Sequence, residues 1–320
     1  MLSLTKWISV LALVGLGSSA FAADGEFMDS EYLHQPGTGA FELTPGIGGA
    51  PGNTALLNQQ NGLTLSSYNI RGTDAKLNLF VVPVTVAADY GINSMFAVGV
   101  QLAYGLGSTN FSNCPQGSPC RSQTINGLFD PQLYLKGRAA VGSGVIQYGV
   151  VATVGVEKSK TNSTGDSNWA SGGSTITPFV AYQFSAGPGV LGARVKYDVY
   201  KGDRKSTIET SNASVDATTT DGNTLGADAF YEMPVGNVTL GGAIIYSSRP
   251  DTKSAFGNSA SKADKNANSI IGAQIYAPVH LSGMTLLPTL EYQTLNYSAS
   301  DSSVIAINTL QLGIAARLTF

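Results

Sequence analysis

The sequence predicts an all-β protein: a transmembrane, antiparallel, up-and-down β-barrel of about twelve strands, with short turns at one end and long loops at the other. Three observations lead there. The chain opens on an export leader. It is poor in charge, with 12% Asp, Glu, Lys and Arg, against roughly 25% in ordinary soluble proteins. From residue 76 onward, apolar and polar residues alternate in one segment after another.

The leader is "MLSLTKWISVLALVGLGSSAFA", residues 1–22. It has one early cation, Lys6, an apolar run from Trp7 to Leu16, and small residues before a cut after Ala22, which is the layout of a secretory signal peptide. The run is too short to span a bilayer, and no later apolar run approaches the roughly 20 residues of a membrane helix. Losing Lys6 leaves the exported chain slightly more acidic than the −3 of the whole. With no basic block, nucleic acid is not an expected partner. Cys114 and Cys120 bracket the turn residues of "CPQGSPC". In an oxidising compartment they are expected to close a loop disulfide, since no His or third Cys stands near enough to complete a metal site. No cofactor is expected.

Successive strand side chains point to opposite faces, so each strand can be read by twos. Phe80, Val82, Val84, Val86, Ala88 and Tyr90 share one face, the turn "GINS" follows, and Phe96 to Leu106 answer it. A long loop to about 126 holds the cysteines. Leu133, Leu135, Gly137 and Ala139 lead into "VGSG", and Ile146 to Val156 rise away. The scheme repeats around "SAGPG" (185–189), "PVGN" (234–237) and "PVHLSG" (278–283), with polar loops to about 174, over 201–223, over 248–268 and near 298–303. The chain ends on "LQLGIAARLTF", whose Leu310, Leu312, Ile314, Ala316, Leu318 and Phe320 fall on one face.

That is eleven strands over 76–320, and short turns and long loops never exchange places. An even strand count requires one more upward strand earlier. "TGAFELTPGIG" (38–48) and "GLTLSSYNIR" (62–71) are the candidates. The chain thus divides into a leader (1–22), an N-terminal lead-in (23–61) that is either a plug or a periplasmic approach and contains one candidate first strand, and the barrel (62–320). Aromatic residues gather near strand ends: Tyr90, Phe96, Phe184 and Phe320 by the short turns, Tyr104, Tyr197 and Tyr246 nearer the long loops. Such girdles suit a lipid-facing band. Pro83, Pro131, Pro178 and Pro288 imply bulges or kinks; a kink at Pro131 would open a lateral gap in the wall.

The inward set is mild: Thr85, Gly99, Gln101, Gln132, Gln147, Gly149, Thr153, Gly192, Gly241, Gln274, Gln311 and Gly313. The candidate lumen-lining charges are Asp130, Lys136, Arg138, Arg194, Lys196, Asp228, Glu232, Glu291 and Arg317, with Asp89 and Glu157 beside them. Bases and acids nearly balance, so no strong ion filter is expected. Aligning the strands that flank the 201–223 loop sets Lys196 level with Asp228 and predicts an ion pair between them.

The last strand, with Leu318 and Phe320, resembles the C-terminal assembly signal of outer-membrane barrels, which implies the barrel-assembly machinery as a partner and the outer membrane of a Gram-negative bacterium, with its lipid, as the location. Two further stretches, "ADYGINSMFAVGVQLAYG" (88–105) and "GLFDPQLYLKGRA" (127–139), resemble strands of the outer-membrane channels associated with the meta-pathway of phenol degradation, which are loosely akin to long-chain fatty-acid transporter barrels. Where that group often carries Lys-Tyr-Arg, this chain has Lys136-Gly137-Arg138. The resemblance implies diffusion of small hydrophobic or aromatic solutes. A non-conducting surface or adhesion barrel is the alternative. A barrel hydrolase would need His beside Ser or activated water, and after the leader the chain has only His34, in the lead-in, and His280, in a short turn.

Overall fold

The computed structural model describes residues 39–45, 76–93, 95–112, 122–163, 166–209, 213–257, 262–264, 267–282, 284–297 and 306–319. The leader, most of the lead-in, the 62–71 segment, Cys114, Cys120, His34 and Phe320 lie outside the described residues.

Twelve strands form the wall: β1 Gly39–Pro45, β2 Lys76–Gly91, β3 Phe96–Ser112, β4 Gln132–Val141, β5 Gly144–Thr153, β6 Ser174–Ala186, β7 Gly189–Lys201, β8 Thr224–Val235, β9 Val238–Arg249, β10 Asn268–Tyr276, β11 Met284–Tyr297 and β12 Ala306–Thr319. Each pairs antiparallel with its sequence neighbours, and β1 pairs with both β2 and β12. The path of pairings therefore returns on itself and the sheet has no free edge along it. The first strand comes from the 38–48 candidate. It is short, yet it supplies the seam.

Exposure separates the two faces in the reverse of the usual order. Ile244 and Ile275 are 63% and 60% exposed, whereas Glu291 and Arg194 are 1% and 4% exposed. Val98, Leu240 and Ile314 also face out. A water-soluble fold buries its apolar face; a wall with an apolar exterior and a charged interior suits lipid outside. Tight hairpins close one end. Those at Gly142-Ser143 and Gly236-Asn237 place a glycine at positive φ, 60° and 66°, as two-residue turns between twisted strands require.

The long loops are more ordered than a polar composition suggests. Ser159–Thr161, Arg204–Glu209, Ser214–Thr220, Thr252–Phe256 and Lys262–Asp264 form a separate five-stranded sheet at the long-loop end. Its Thr- and Ser-rich strands carry β-branched residues without apolar alternation, so the expectation of plain polar loops missed them. Within it the Asp216 carboxyl is held below its ordinary range, first by the Thr207 hydroxyl and then by Lys158.

Ser122–Leu128 extends β4 beyond a break at Phe129–Pro131 and pairs with the upper half of β3. The Phe129 amide donates to the Ala103 carbonyl (2.9 Å), Gln132 stands opposite Gln101, and Asp130 and Pro131 together face Leu102. This is a β-bulge with one extra residue. Pro131 has no N–H to give, but its carbonyl accepts from Val154 (2.9 Å). Hydrogen bonds bracket the bulge on both sides, so it bends the strand and opens no gap of the kind Pro131 suggested. At Pro178 the ladder to β7 lapses between Ile176↔Val199 and Phe179↔Lys196 without a change of register.

Ile244 lies mid-strand on the outer face. Ile244→Lys should destabilise the folded barrel by about 2–4 kcal/mol in guanidinium unfolding from lipid or detergent, where an exposed Ile→Lys change in a water-soluble sheet would be close to neutral.

Candidate functional site: the inner wall

Inward positions alternate with the outer apolar ones, and where one strand offers glycine its neighbour offers a ring. Tyr276 on β10 lies across Gly241 of β9, where a Cβ would come within 2.1 Å of the ring, and its hydroxyl donates to Glu232 of β8 (2.7 Å). Tyr134 crosses Gly99 in the same way, and the Ala88 carbonyl lies 3.5 Å from its hydroxyl. Phe230 covers Gly192 and Phe179 covers Gly149. Each glycine removes the one atom that would hold its neighbour's ring off the backbone, and the ring in turn shields that backbone from solvent. Phe230, Ala243 and Tyr276 form a buried apolar patch, with Ile245 and Leu287 packed against it. Residue typing alone passed over these rings. The signal was there as an aromatic at polar parity opposite a glycine, but it needs the register to be seen.

The charged candidates fall into local partnerships. Arg194 on β7 is directly opposite Asp228 on β8, donating Nε (2.9 Å) and Nη2 (2.6 Å) to one carboxylate oxygen, with both side chains buried. Lys196 is opposite Gly226, over which its alkyl stem lies. The expected Lys196–Asp228 pair is therefore replaced by Arg194–Asp228: the true register is shifted by two residues, which leaves every face assignment intact. Lys136 is buried, with its ammonium 4.3 Å from the Tyr134 ring centre, a cation–π contact. Arg138 is half-buried near the short turns. Glu291 is buried and accepts from the Gln293 amide. Arg317 stands 4.0 Å from Asp89. Leu318 pairs in register with Phe41 and Met284 at the seam and faces outward.

Two candidates leave the mid-wall. Glu157 is exposed beyond the end of β5, where Asn168 donates to it (3.3 Å). Asp130, lifted by the bulge, accepts from the Ser171 amide (2.8 Å), the Ser171 hydroxyl and the Val156 amide (3.3 Å). It thereby fastens the 154–173 segment to the wall. Trp169 of that segment is buried, stacks on Phe129 with ring centres 5.1 Å apart, and lies over Gly105. Above the wall, Asp221 joins Arg204 and Arg249, all with nearly inaccessible side chains. Burial lowers the Arg204 pKa from its ordinary value. Three residues of separate segments meet there, and no spacing in the chain announces it. His280 lies between the hydroxyls of Thr239 and Thr285, each at 3.4 Å, at the short-turn end.

No family model and no curated protein matches the sequence. Among solved structures, the chain is similar to an outer membrane channel from Pseudomonas putida F1, at 12% identity over 90% of this chain and 96% of that one, with a TM-score of 0.62. The NanC porin (9% identity; 87% and 98% covered; TM-score 0.45) and the CymD monoaromatic hydrocarbon channel (10%; 93% and 93%; 0.44) are also found. The first likeness is one of fold. Closed pairing, an apolar exterior and a polar interior together with that likeness define the class: a twelve-stranded transmembrane β-barrel with the fold of an outer-membrane channel.

Two results are expected from this wall. Arg194→Ala should cost about 3–5 kcal/mol in denaturant unfolding because it strands a buried carboxylate, while Arg194→Met with Asp228→Leu should recover most of that loss. Asp130→Ala should leave the barrel folded but make the 154–173 segment cleavable in limited proteolysis, with the fragments mapped by mass spectrometry.

Proposed function

We propose that the protein is an outer-membrane channel through which small hydrophobic or aromatic solutes diffuse, the long loops facing outward and the short turns the periplasm. The observation that carries this reading is the inner face itself. It carries Tyr134, Phe179, Phe230 and Tyr276 seated on glycines, and its buried charges meet near contacts: Arg194 on Asp228, the Tyr276 hydroxyl on Glu232 and the Tyr134 ring under Lys136. The partly exposed rings of Tyr134 and Phe179 offer a passing apolar solute flat surface, and the near balance of inward bases and acids imposes little preference on ions. The fold likeness to the Pseudomonas putida F1 channel supports the reading, as does the resemblance of the 88–105 and 127–139 stretches to the phenol-degradation channels. In this reading Lys136, Arg138, Arg194, Lys196, Asp228, Glu232, Glu291 and Arg317 line the passage and Asp130 holds its outer rim.

The test is current and uptake together. The full chain in planar bilayers should give discrete current steps, with a reversal potential near zero across a salt gradient. Expressed in a Gram-negative host lacking its major porins, it should speed entry of a labelled aromatic solute across the intact outer membrane. A folded barrel that passes neither ions nor solute would leave a non-conducting structural barrel instead.

A further inference from the structure

Lys196 is an inner-wall cation that the fold leaves uncommitted. It is half-buried, and among the described residues none hydrogen-bonds to it or pairs with its charge. The carboxylates beside it are engaged elsewhere. Asp198, the next inward residue on β7, accepts from the Thr177 hydroxyl (2.7 Å), and Asp228 holds Arg194.

The shape around Lys196 is that of a seat. Its stem lies over Gly226 of β8, where a Cβ would come within 2.8 Å of it, so the side chain leans away from β6. Its register partner on β6 is Phe179, whose ring leans the other way, over Gly149 of β5, within 2.7 Å of where a Cβ would stand. The two part above their own pairing. The next inward residue on β6 is Ala181, opposite Arg194, which projects only a methyl. A low strip of wall results, with a ring on one side and an ammonium on the other. Phe179, Ala181 and Lys196 are all partly exposed along it, so a solute in the passage can reach them.

The local charge says what kind of guest fits. One inward row runs through Lys136, Gly149, Phe179, Lys196 and Gly226 across β4 to β8, and the next row toward the short turns holds Arg138, Arg194 and Asp228. Those two rows carry four cations and one carboxylate, and Arg194 already occupies the carboxylate. A charge set on a protein wall acts more strongly than one in bulk water, so this sector draws anions. The Phe179 ring adds a flat apolar partner. An aliphatic acid would use the ammonium alone, and a neutral ring the phenylalanine alone; a planar ring bearing a carboxylate uses both.

We propose that Phe179, Ala181 and Lys196 form a subsite for aromatic carboxylates, the solute ring lying against Phe179 and Ala181 and the carboxylate accepting from the Lys196 ammonium. Lys196 is its specificity-determining residue. This deepens the channel reading and rests on it for its role in transport, though not for its existence.

The full chain in nonionic detergent micelles, titrated with 4-fluorobenzoate and with 4-fluorobenzamide and followed by fluorine NMR against micelles alone, tests it. Saturable binding of the carboxylate is expected, at least about fivefold tighter than the amide, with the preference shrinking as salt is raised from about 50 mM to about 500 mM. Lys196→Met keeps the apolar stem and removes the charge; it should weaken the carboxylate roughly 3–10-fold and leave the amide unchanged. Lys196→Arg should restore most of the preference. Phe179→Leu should weaken both probes together. Heat-shifted electrophoretic migration verifies that each variant is folded. Equal affinity for the two probes overturns the proposal, and so does a carboxylate titration that Lys196→Met leaves unchanged, which would put the anion on another cation of the wall. Ion current without discriminating binding defeats the subsite alone; discriminating binding without current or uptake defeats the channel reading alone.

Discussion

The structure depends on one constraint: within hydrocarbon, no backbone N–H or C=O can be left to water. An open sheet has two edges that violate it, and a closed one has none. The seven residues of β1 answer the requirement, because Gly39–Pro45 pairs along one side with β2 and along the other with β12. The same demand explains how the prolines are tolerated. Pro131 sits where the ladder has already given up one position to a bulge, and the bonds from Phe129 and to Pro131 on either side keep the wall continuous.

Closure fixes what each face may be. Outward residues meet acyl chains and need only be apolar, so Val, Ile and Leu recur there without specific partners. Inward residues crowd into a curved interior, and their choices are coupled from strand to strand. A ring at Tyr276 requires glycine at 241; a tyrosine at 134 requires glycine at 99. The coupling also distributes charge. Arg194 meets Asp228 directly across one strand pair, whereas the Glu232 carboxylate is reached by a tyrosine that crosses an intervening strand over a glycine. Each of these carboxylates is thereby met by a side chain from another strand.

How much of this the sequence disclosed follows from the period of two. Alternation located the wall strands and their faces, because a one-residue slip would turn every outer Val or Leu inward. A two-residue slip turns nothing over. For that reason Lys196 and Arg194 were equally good partners for Asp228 by pattern, and only the register of β7 against β8 separates them. The Gly–aromatic joints were hidden for the same reason, since each joins residues of different strands. The outer sheet was hidden for another: Ser214–Thr220 and Thr252–Phe256 are strands by backbone pairing across loops, with no apolar face to mark them.

The interior is graded along its length, and the grading follows from which groups the fold could satisfy internally. At the long-loop end, Asp130, Ser171, Phe129 and Trp169 complete one another: the carboxylate is met by an amide and a hydroxyl, and the rings stack. Such a group holds shape and has little left to offer a visitor. At the level of Ala243 the wall is apolar and close-fitting on one side, yet the Gln274 amide beside it is unsatisfied.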